Sequence, residues 1–190
     1  MGTACVAEGK KNARRWRATL IFIDESGFSL IPPTRRTWAR RGHTPVIRHQ
    51  FNWPKLSAIS GVTRQGRLYL RLVRGTIRSR DVIRFLESLL GHMHRRIVVI
   101  WDNIGIHRSR EVSEWLSQHR RITVERLPAY ACELNADEGV WQYLKGAPLG
   151  NYCPRNLSEL EDRIRSSVRR LHRRQDIVRG FFRQTPLAIA

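Results

Sequence analysis

The 190-residue sequence is poor in cysteine, in acidic residues and in long apolar runs, and each shortage excludes a class of protein. Its three cysteines, Cys5, Cys132 and Cys153, are odd in number and far apart, which argues against a disulfide framework and a cysteine-based zinc site. No apolar run approaches the roughly 18 residues that span a bilayer, and the first 20 residues lack the apolar region of a secretory signal. We therefore expect a cytoplasmic protein that does not act in a membrane.

Positive charge dominates what is present. Lys and Arg total 35 and Asp and Glu total 16, so the net charge is +19. Thirty-one of the basic residues are arginine, whose planar guanidinium suits bidentate contact with phosphate, although a GC-rich genome produces the same bias. The excess indicates a polyanionic partner, most often nucleic acid, with an acidic membrane surface as a second candidate. The alternative is an arginine-rich protein whose charge serves only solubility. Hydrophobic residues make up 41%, enough for one folded domain.

Hydrophobic periodicity predicts five strands and four helices. The predicted strands are 19–26, 55–63, 67–75, 96–102 and 122–128, and the predicted helices are 79–93, 109–119, 133–146 and 156–174. The connector RQG predicts an antiparallel hairpin between the second and third strands. Ser79 and Ser109 are predicted N-caps, and Gly91 is a predicted helix stop. This order predicts an α/β fold, a mixed sheet flanked by helices on both faces.

Three of the few acidic residues occupy positions suited to a metal site. Asp24 ends the first apolar strand, Asp102 ends the second long one, and Glu138 precedes the apolar face of a predicted helix. Three carboxylates side by side repel one another unless a cation lies among them. Oxygen ligands suit Mg²⁺ or Mn²⁺, and two such ions clamp the attacking and leaving oxygens of a phosphoryl displacement. The alternative is structural, since aspartates at strand ends also cap helices and helical glutamates are often solvated.

Three other acidic residues nearby are not predicted to join this metal site, because of the directions that we expect for their side chains. Side chains alternate along a strand, so we expect Glu25 to point to the face opposite Asp24. We expect Glu133 and Asp137 to lie one turn apart on the predicted helix, in a different register from Glu138.

Four ordered blocks resemble the catalytic domain of DDE transposases, in the bacterial insertion-sequence branch related to the mariner elements. The blocks are IFIDESGFSLIP (21–32), RRTWARRGHTP (35–45), VVIWDNIGIHRS (98–109) and LPAYACELNADEGVWQYLK (127–145). Position by position, Asp24, Asp102 and Glu138 match the family's catalytic, metal-binding triad. The resemblance implies a ribonuclease-H-like fold and cleavage and strand transfer at transposon ends, with two Mg²⁺ (or Mn²⁺) ions as cofactors.

The resemblance also implies a domain organisation and partners. Residues 19–150 would form the DDE catalytic domain, between a basic leader or linker remnant (1–18) and a basic C-terminal helical tail (151–190). Expected partners are the DNA of transposon ends and target, a second copy in a homodimer, and a separate helix-turn-helix polypeptide, all at the bacterial nucleoid. The family usually carries helix-turn-helix modules upstream, so we expect a catalytic half, a second reading frame or a decayed copy.

Further residues are candidates for secondary roles. Asn103 and His107 follow Asp102 and are candidates to sit at the metal site or to position a phosphate; the alternatives are loop capping and a helix-entry contact. The predicted DNA contacts are Arg35, Arg36, Trp38, Arg40, Arg41, Arg169, Arg170, Arg173 and Arg174. Trp115 and Trp141 are expected in the core, whereas Trp53 and Trp101 are further candidates to stack on bases.

The chain departs from the family pattern just before its third acid, which leaves other functions open. Ala136-Asp137 stands where the family usually has Pro-Ile, and Ala131-Cys132 stands where it usually has Ser-Pro. One alternative is therefore a catalytically inactive or repurposed DNA-binding remnant of a transposase. A third hypothesis is a ribonuclease-H-like nuclease that acts on RNA or on RNA–DNA hybrids.

Overall fold

A five-stranded sheet forms the centre of the computed structural model, which describes residues 16–49, 54–128 and 131–185. The strands are β1 (Thr19–Phe28), β2 (Leu56–Thr63), β3 (Leu68–Arg74), β4 (Ile97–Trp101) and β5 (Ile122–Arg126). Their order across the sheet is β3-β2-β1-β4-β5. The pairs β1–β2 and β2–β3 are antiparallel, whereas β4 runs parallel to both β1 and β5. The predicted mixed sheet and hairpin are therefore confirmed.

Five α-helices in the described part of the chain cover the two faces of the sheet. They are α1 (Ser79–His92), α2 (Arg110–Gln118), α3 (Glu138–Lys145), α4 (Leu157–Arg173) and α5 (Gln175–Gln184). Alternation along β1 sends Ile21 and Ile23 into a core shared with α1 and α2, and Phe22 into a core shared with α3, α4 and α5. Helices thus flank both faces, as predicted. None of the helices described is long and apolar enough to cross a membrane.

Of the two predicted helix caps, that of α2 is confirmed and that of α1 is wrong by one residue. Ser109 caps α2 as predicted, because its Oγ accepts a hydrogen bond from the Val112 N–H at 3.4 Å. The cap of α1 is Arg78 and not Ser79, since the Asp81 carboxylate accepts the Arg78 N–H at 3.0 Å and fixes the turn one residue earlier. The helix then continues through Gly91, the predicted stop, to His92.

The predicted helix over residues 133–146 is wrong in its first five residues. A 3₁₀ turn spans Cys132–Leu134, and α3 begins only at Glu138. The reason is Asn135, whose side chain accepts the Asp137 N–H at 3.1 Å and donates to the Ile23 carbonyl at 3.0 Å. These bonds replace the helical ones, so Glu133 and Asp137 do not share a helix turn.

The carboxyl-terminal helices pack on the same core as the sheet. In α4, which carries the predicted amphipathic pattern, Leu160, Ile164 and Leu171 are buried. The sequence pattern did not reveal α5, whose Phe181 packs so closely on α3 that a Cβ at Gly139 would lie 2.7 Å from the Phe181 Cβ. The division of the chain at residue 150 stays a prediction. Most of the predicted leader, residues 1–15, lies outside the described residues.

Candidate active site

Strand register places Asp24 beside Asp102. The parallel pairing of β1 with β4 runs from Thr19 opposite Ile97 to Phe22 opposite Ile100. Two residues further in the same register, Asp24 falls opposite Asp102. Because neighbouring strands lie about 4.8 Å apart, this register puts the backbones of the two residues near each other at the same end of the sheet. The prediction that Asp24 ends its strand is wrong, because pairing with β2 continues β1 to Phe28.

The start of α3 brings Glu138 to Asp24. Trp141, three residues after Glu138 and therefore on the same side of the helix, donates its indole N–H to Asp24 Oδ2 at 2.9 Å. Burial raises the pKa of Asp24, and the negative charge of Glu138 raises it further, to about 7, despite the bond from Trp141. Asp24 and Glu138 thus lie close enough to repel each other.

Asp102 is held by His107, which is itself completely buried. The Nδ1 of His107 lies 2.8 Å from Asp102 Oδ1, and its Nε2 lies 2.8 Å from Glu25 Oε1. The imidazole also stacks on Trp101, with ring centroids 4.1 Å apart. Burial alone would lower the pKa of His107, but the two carboxylates outweigh it and raise the pKa to about 9. Burial likewise opposes ionisation of Asp102, yet the bonds from His107 and the Ile104 N–H hold its pKa below its ordinary value.

Glu25, Asp102 and His107 also bring ligand atoms within 4.8 Å of one another, an arrangement that suits a metal ion. The ring nitrogens of His107 are both engaged with carboxylates, and an imidazolium has no lone pair for a metal. We therefore interpret the trio as an ion cluster in which one imidazolium offsets part of the charge of two carboxylates, and Glu25 Oε2 is buried there without a hydrogen-bond partner among the described residues. Glu25 points away from Asp24, as the alternation of the strand predicted.

Asp137 is part of the site, although its sequence position did not predict this. Its carboxyl group is fully buried and hydrogen-bonded to the hydroxyl of Ser60, the residue paired with Asp24 across the β1–β2 ladder. Burial raises the pKa of Asp137 well above its ordinary value, and the charge of Asp24 adds to the effect. The bond from Asn135 to the Ile23 carbonyl attaches the start of α3 to β1, and the contact of Asp137 with Ser60 attaches it to β2.

The donor set of Asp24, Asp102 and Glu138 fits a hard divalent cation. All the available ligand atoms are carboxylate oxygens, the type that Mg²⁺ and Mn²⁺ prefer. Among the described residues, no arginine, lysine or histidine forms an ion pair with Asp24 or Glu138. No positive side chain therefore offsets the repulsion between these two carboxylates. Asp102 is half-buried, and its Oδ1 is the oxygen that His107 holds, which directs Oδ2 elsewhere.

A basic arm leaves the sheet at this same end. Residues 34–46, here called the basic arm, follow β1 and are exposed throughout, and the side chain of Trp38 is 99% exposed. Asn151 clasps the base of the arm, because its side chain accepts the Arg35 N–H and donates to the Arg35 carbonyl, both at 2.8 Å. The predicted DNA contacts in the arm are Arg35, Arg36, Trp38, Arg40 and Arg41.

The second predicted group of DNA contacts lies elsewhere. Arg169, Arg170, Arg173 and Arg174 are exposed near the end of α4. That helix ends beside the β2–β3 turn, where the Gln175 carbonyl would lie 2.7 Å from a Cβ on Gly66, a residue at φ +88°. The structure therefore separates this group from the carboxylates.

The structure also locates most of the remaining candidates for phosphate positioning or base stacking. Asn103 is exposed beside Asp102. Trp115 stacks on His119 with centroids 3.8 Å apart, and Trp101 is fully buried, so both are packing residues. Trp53 lies outside the described residues.

Two contacts to the site were not predicted from the sequence. Trp141 was assigned to the core, and it is indeed buried, but it also binds Asp24. Its spacing of three residues from Glu138 was a usable signal. Nothing in the sequence pointed to Ser60, whose role depends on strand pairing.

Comparisons with known proteins identify the family of the chain. A model of the family described as DDE superfamily endonuclease matches residues 19–161. An insertion element IS630 uncharacterized 39 kDa protein from Shigella sonnei is 26% identical over 154 residues, which cover 77% of this chain and 43% of that protein. The chain thus spans less than half the length of this curated relative.

Solved structures of a mariner transposase share the fold. The mariner Mos1 paired end complex with Mg superposes with a TM-score of 0.68 at 15% identity, over 96% of this chain and 58% of that chain. The catalytic domain of Mos1 mariner transposase superposes with a TM-score of 0.57 at 14% identity, over 95% of this chain and 89% of that chain. The predicted α/β fold, a sheet flanked by helices on both faces, is the fold of that catalytic domain.

Proposed function

The chain belongs to the DDE superfamily of endonucleases, and on that premise we propose that it is the catalytic domain of a DNA transposase. It cleaves phosphodiester bonds and transfers strands at transposon ends. The observation that carries the proposal is a group of acidic residues at one end of the sheet: the charge of Glu138 acts on Asp24, and the β1–β4 register, continued by two residues, brings Asp102 to the same end. A strongly basic chain built around such a cluster is suited to a phosphodiester substrate.

We assign Asp24, Asp102 and Glu138 as the residues that hold two Mg²⁺ or Mn²⁺ ions. When bound, such ions polarise a phosphoryl oxygen and activate an attacking hydroxyl. The surrounding residues keep the ligands in place. His107 orients the carboxylate of Asp102, and Trp141 fixes one oxygen of Asp24.

The basic arm supports DNA as the substrate. It rises from the carboxylate end of the sheet and carries four exposed arginines and an exposed tryptophan, a combination of phosphate donors and a stacking platform. We propose that Arg35, Arg36, Trp38, Arg40 and Arg41 guide DNA to the carboxylates. The Mos1 structures are paired-end and strand-transfer complexes, which supports a homodimer acting on DNA ends here. A separate helix-turn-helix polypeptide that reads those ends, and action at the bacterial nucleoid, belong to the same proposal.

Nicking of supercoiled plasmid tests this function. The chain should relax plasmid in Mg²⁺ or Mn²⁺ but not in EDTA, and Asp102→Asn or Glu138→Gln should reduce nicking at least 100-fold because a ligand is lost. Glu133→Gln, an exposed acid five residues from Glu138, is the matched control and should retain full activity.

Two results would contradict the proposed transposase function and favour one of the alternative functions. A folded chain that binds plasmid yet never nicks it would be the DNA-binding remnant. Preferential cleavage of an RNA–DNA hybrid over duplex DNA would instead identify a nuclease of hybrids.

A further inference from the structure

A second basic surface occupies the end of the sheet opposite the carboxylates. Four loops meet there: residues 16–18, 64–67, 93–96 and 119–121. Together they hold seven arginines and no acidic residue. The seven, all exposed, are Arg17, Arg64, Arg67, Arg95, Arg96, Arg120 and Arg121. We call these four loops the distal basic surface.

Backbone and side-chain contacts join the loops into one surface. The Thr19 N–H donates to the Arg96 carbonyl and the Ile97 N–H to the Arg121 carbonyl, both at 2.8 Å. The Arg121 guanidinium donates to the carbonyls of Met93 and Arg95. These bonds fix the relative positions of three of the loops, and the fourth, residues 64–67, lines a common cleft with residues 93–95.

A cleft on this surface has the size and chemistry to take part of a nucleic acid. Its volume is about 370 Å³, and it is lined by Arg67 from the β2–β3 turn and Arg95 from the loop before β4. Tyr69 and His92 line it as well, with their rings edge to face at 5.7 Å. Guanidinium groups beside aromatic rings are the combination that binds a phosphate backbone and its sugars or bases.

Among the residues that the structure describes, carboxylates compensate some arginines elsewhere on the molecule but none on the distal basic surface. Arg110 pairs with Glu114 at 2.6 Å and Arg165 pairs with Glu161 at 2.6 Å, so their charges are compensated locally. In the described part of the chain, the seven distal arginines form no ion pair with a carboxylate. Like charges held this close repel one another, and a polyanion relieves that repulsion.

Distance separates this surface from the candidate active site. Asp24 is five residues along β1 from Thr19, which is about 17 Å at the rise of a strand. A phosphate at the carboxylates therefore cannot also contact the distal arginines. We propose that the distal basic surface binds the phosphate backbone of duplex DNA, as a contact separate from that of the carboxylate end.

Salt dependence of DNA binding tests the proposal. Binding of a random-sequence duplex is measured in EDTA over a range of salt concentrations, for the full chain, for Arg67→Gln/Arg95→Gln and for the control Arg80→Gln/Arg84→Gln. Both variants lose two exposed arginines, and the control pair lies on the outer face of α1. Each phosphate contact adds about 0.9 to the slope of log K against log salt. The distal variant should therefore lose roughly 1–2 in slope and bind several-fold more weakly, whereas the control should match the full chain.

Equal slopes for the two variants, with both folded by circular dichroism, would overturn the proposal. So would weaker binding of heparin with unchanged binding of duplex DNA, since the ligand would then be another polyanion. Because no cleavage is measured, the result is independent of the proposed catalytic function. A chain without nuclease activity can still show the distal contact, and an active chain can lack it.

Discussion

At the scale of the residue, His107 has the most closely defined surroundings near the carboxylates. It stacks on Trp101 and contacts Glu25 and Asp102 through its two nitrogens. These contacts make it a positioning residue: it fixes one oxygen of Asp102 and so sets the direction of the other. Groups that orient metal ligands in this way commonly matter almost as much as the ligands.

Substitution of His107 should weaken metal binding. His107→Gln removes the charged bridge, so we expect Mn²⁺ affinity to fall roughly 10- to 100-fold. It also leaves Glu25 with a poorly compensated buried charge, which should cost about 3 kcal/mol of stability. Isothermal titration with Mn²⁺ and urea denaturation measure the two effects.

Two further variants separate positioning from stability. Glu25→Gln/His107→Gln removes the stranded charge and should recover stability without recovering Mn²⁺ affinity. His172→Gln, exposed on α4, should change neither quantity. Recovery of both in the double variant would show that His107 is structural only.

The positions of some polar residues of the site could be predicted from the sequence, and those of others could not. Alternation along a strand correctly put Glu25 and Asp24 on opposite faces, because that pattern is local. The bond of Trp141 to Asp24 and that of Asp137 to Ser60 depend on how α3 docks on the sheet, which no local pattern contains. The roles of Asp24, Asp102 and Glu138 stay a prediction.

At the scale of the element, the docking of α3 determines where Glu138 lies. Asn135 binds the Ile23 carbonyl and Asp137 binds Ser60, so the helix start is fastened to both strands around Asp24. Asp137 stands where the resembling family usually has an apolar residue. A hydrogen-bonded acid here therefore takes the place of an apolar packing contact.

Removal of one partner of the Ser60–Asp137 hydrogen bond should lower the free energy of unfolding more than removal of both partners. Ser60→Ala leaves the Asp137 carboxyl group buried without its partner, which should destabilise the fold by about 1–3 kcal/mol. Ser60→Ala/Asp137→Leu replaces the pair by apolar groups and should recover much of the loss. Urea denaturation measures both, and a double variant less stable than Ser60→Ala would contradict this account.

The close approach of α5 to α3 gives a second prediction at this scale. Gly139→Ala would drive a methyl group into Phe181 and should destabilise the fold by about 1–3 kcal/mol. Gly180→Ala lies on α5 with no atom within 4 Å of its new Cβ, so it should be neutral or stabilise by up to about 1 kcal/mol. Thermal denaturation compares the two; equal effects would mean that α5 is not packed in this way.

Elements with strong periodicity or clear boundaries were predicted well. All five strands and α4 follow from their apolar patterns, and α2 from its serine cap. The start of α3 was missed because Asn135 competes with helical hydrogen bonding. The helix α5 follows α4 at once, without a proline or glycine between them, so its pattern merged with the basic tail.

At the scale of the whole molecule, charge is unevenly distributed. Carboxylates cluster at one end of the sheet around Asp24, and the distal basic surface occupies the other. A net charge of +19 predicted a polyanionic partner but could not show where it binds. The position of each charge depends on the strand order, which only the structure reveals.

A divalent cation should stabilise the folded chain. The repulsion between Asp24 and Glu138 is relieved when a cation binds, and binding to the folded state alone adds about 2.7 kcal/mol at 100 times the Kd. For a domain of this size we expect a rise in Tm of roughly 5–10 °C. Scanning calorimetry in Mn²⁺ and in EDTA measures it, and Asp24→Asn should abolish most of the rise. An unchanged Tm in Mn²⁺ would count against the site.

A Mn²⁺ titration of four variants tests the central claim most directly, since two sets of ligand groups share Asp102. Asp24→Asn and Glu138→Gln should each lower Mn²⁺ affinity at least 10-fold, whereas the exposed control Glu133→Gln should leave it unchanged. Glu25→Gln should have a small effect, because Glu25 serves the His107 cluster and not the metal. Loss of Mn²⁺ binding in Glu25→Gln, with binding retained in Asp24→Asn and Glu138→Gln, would place the metal at Glu25, Asp102 and His107 and contradict the account.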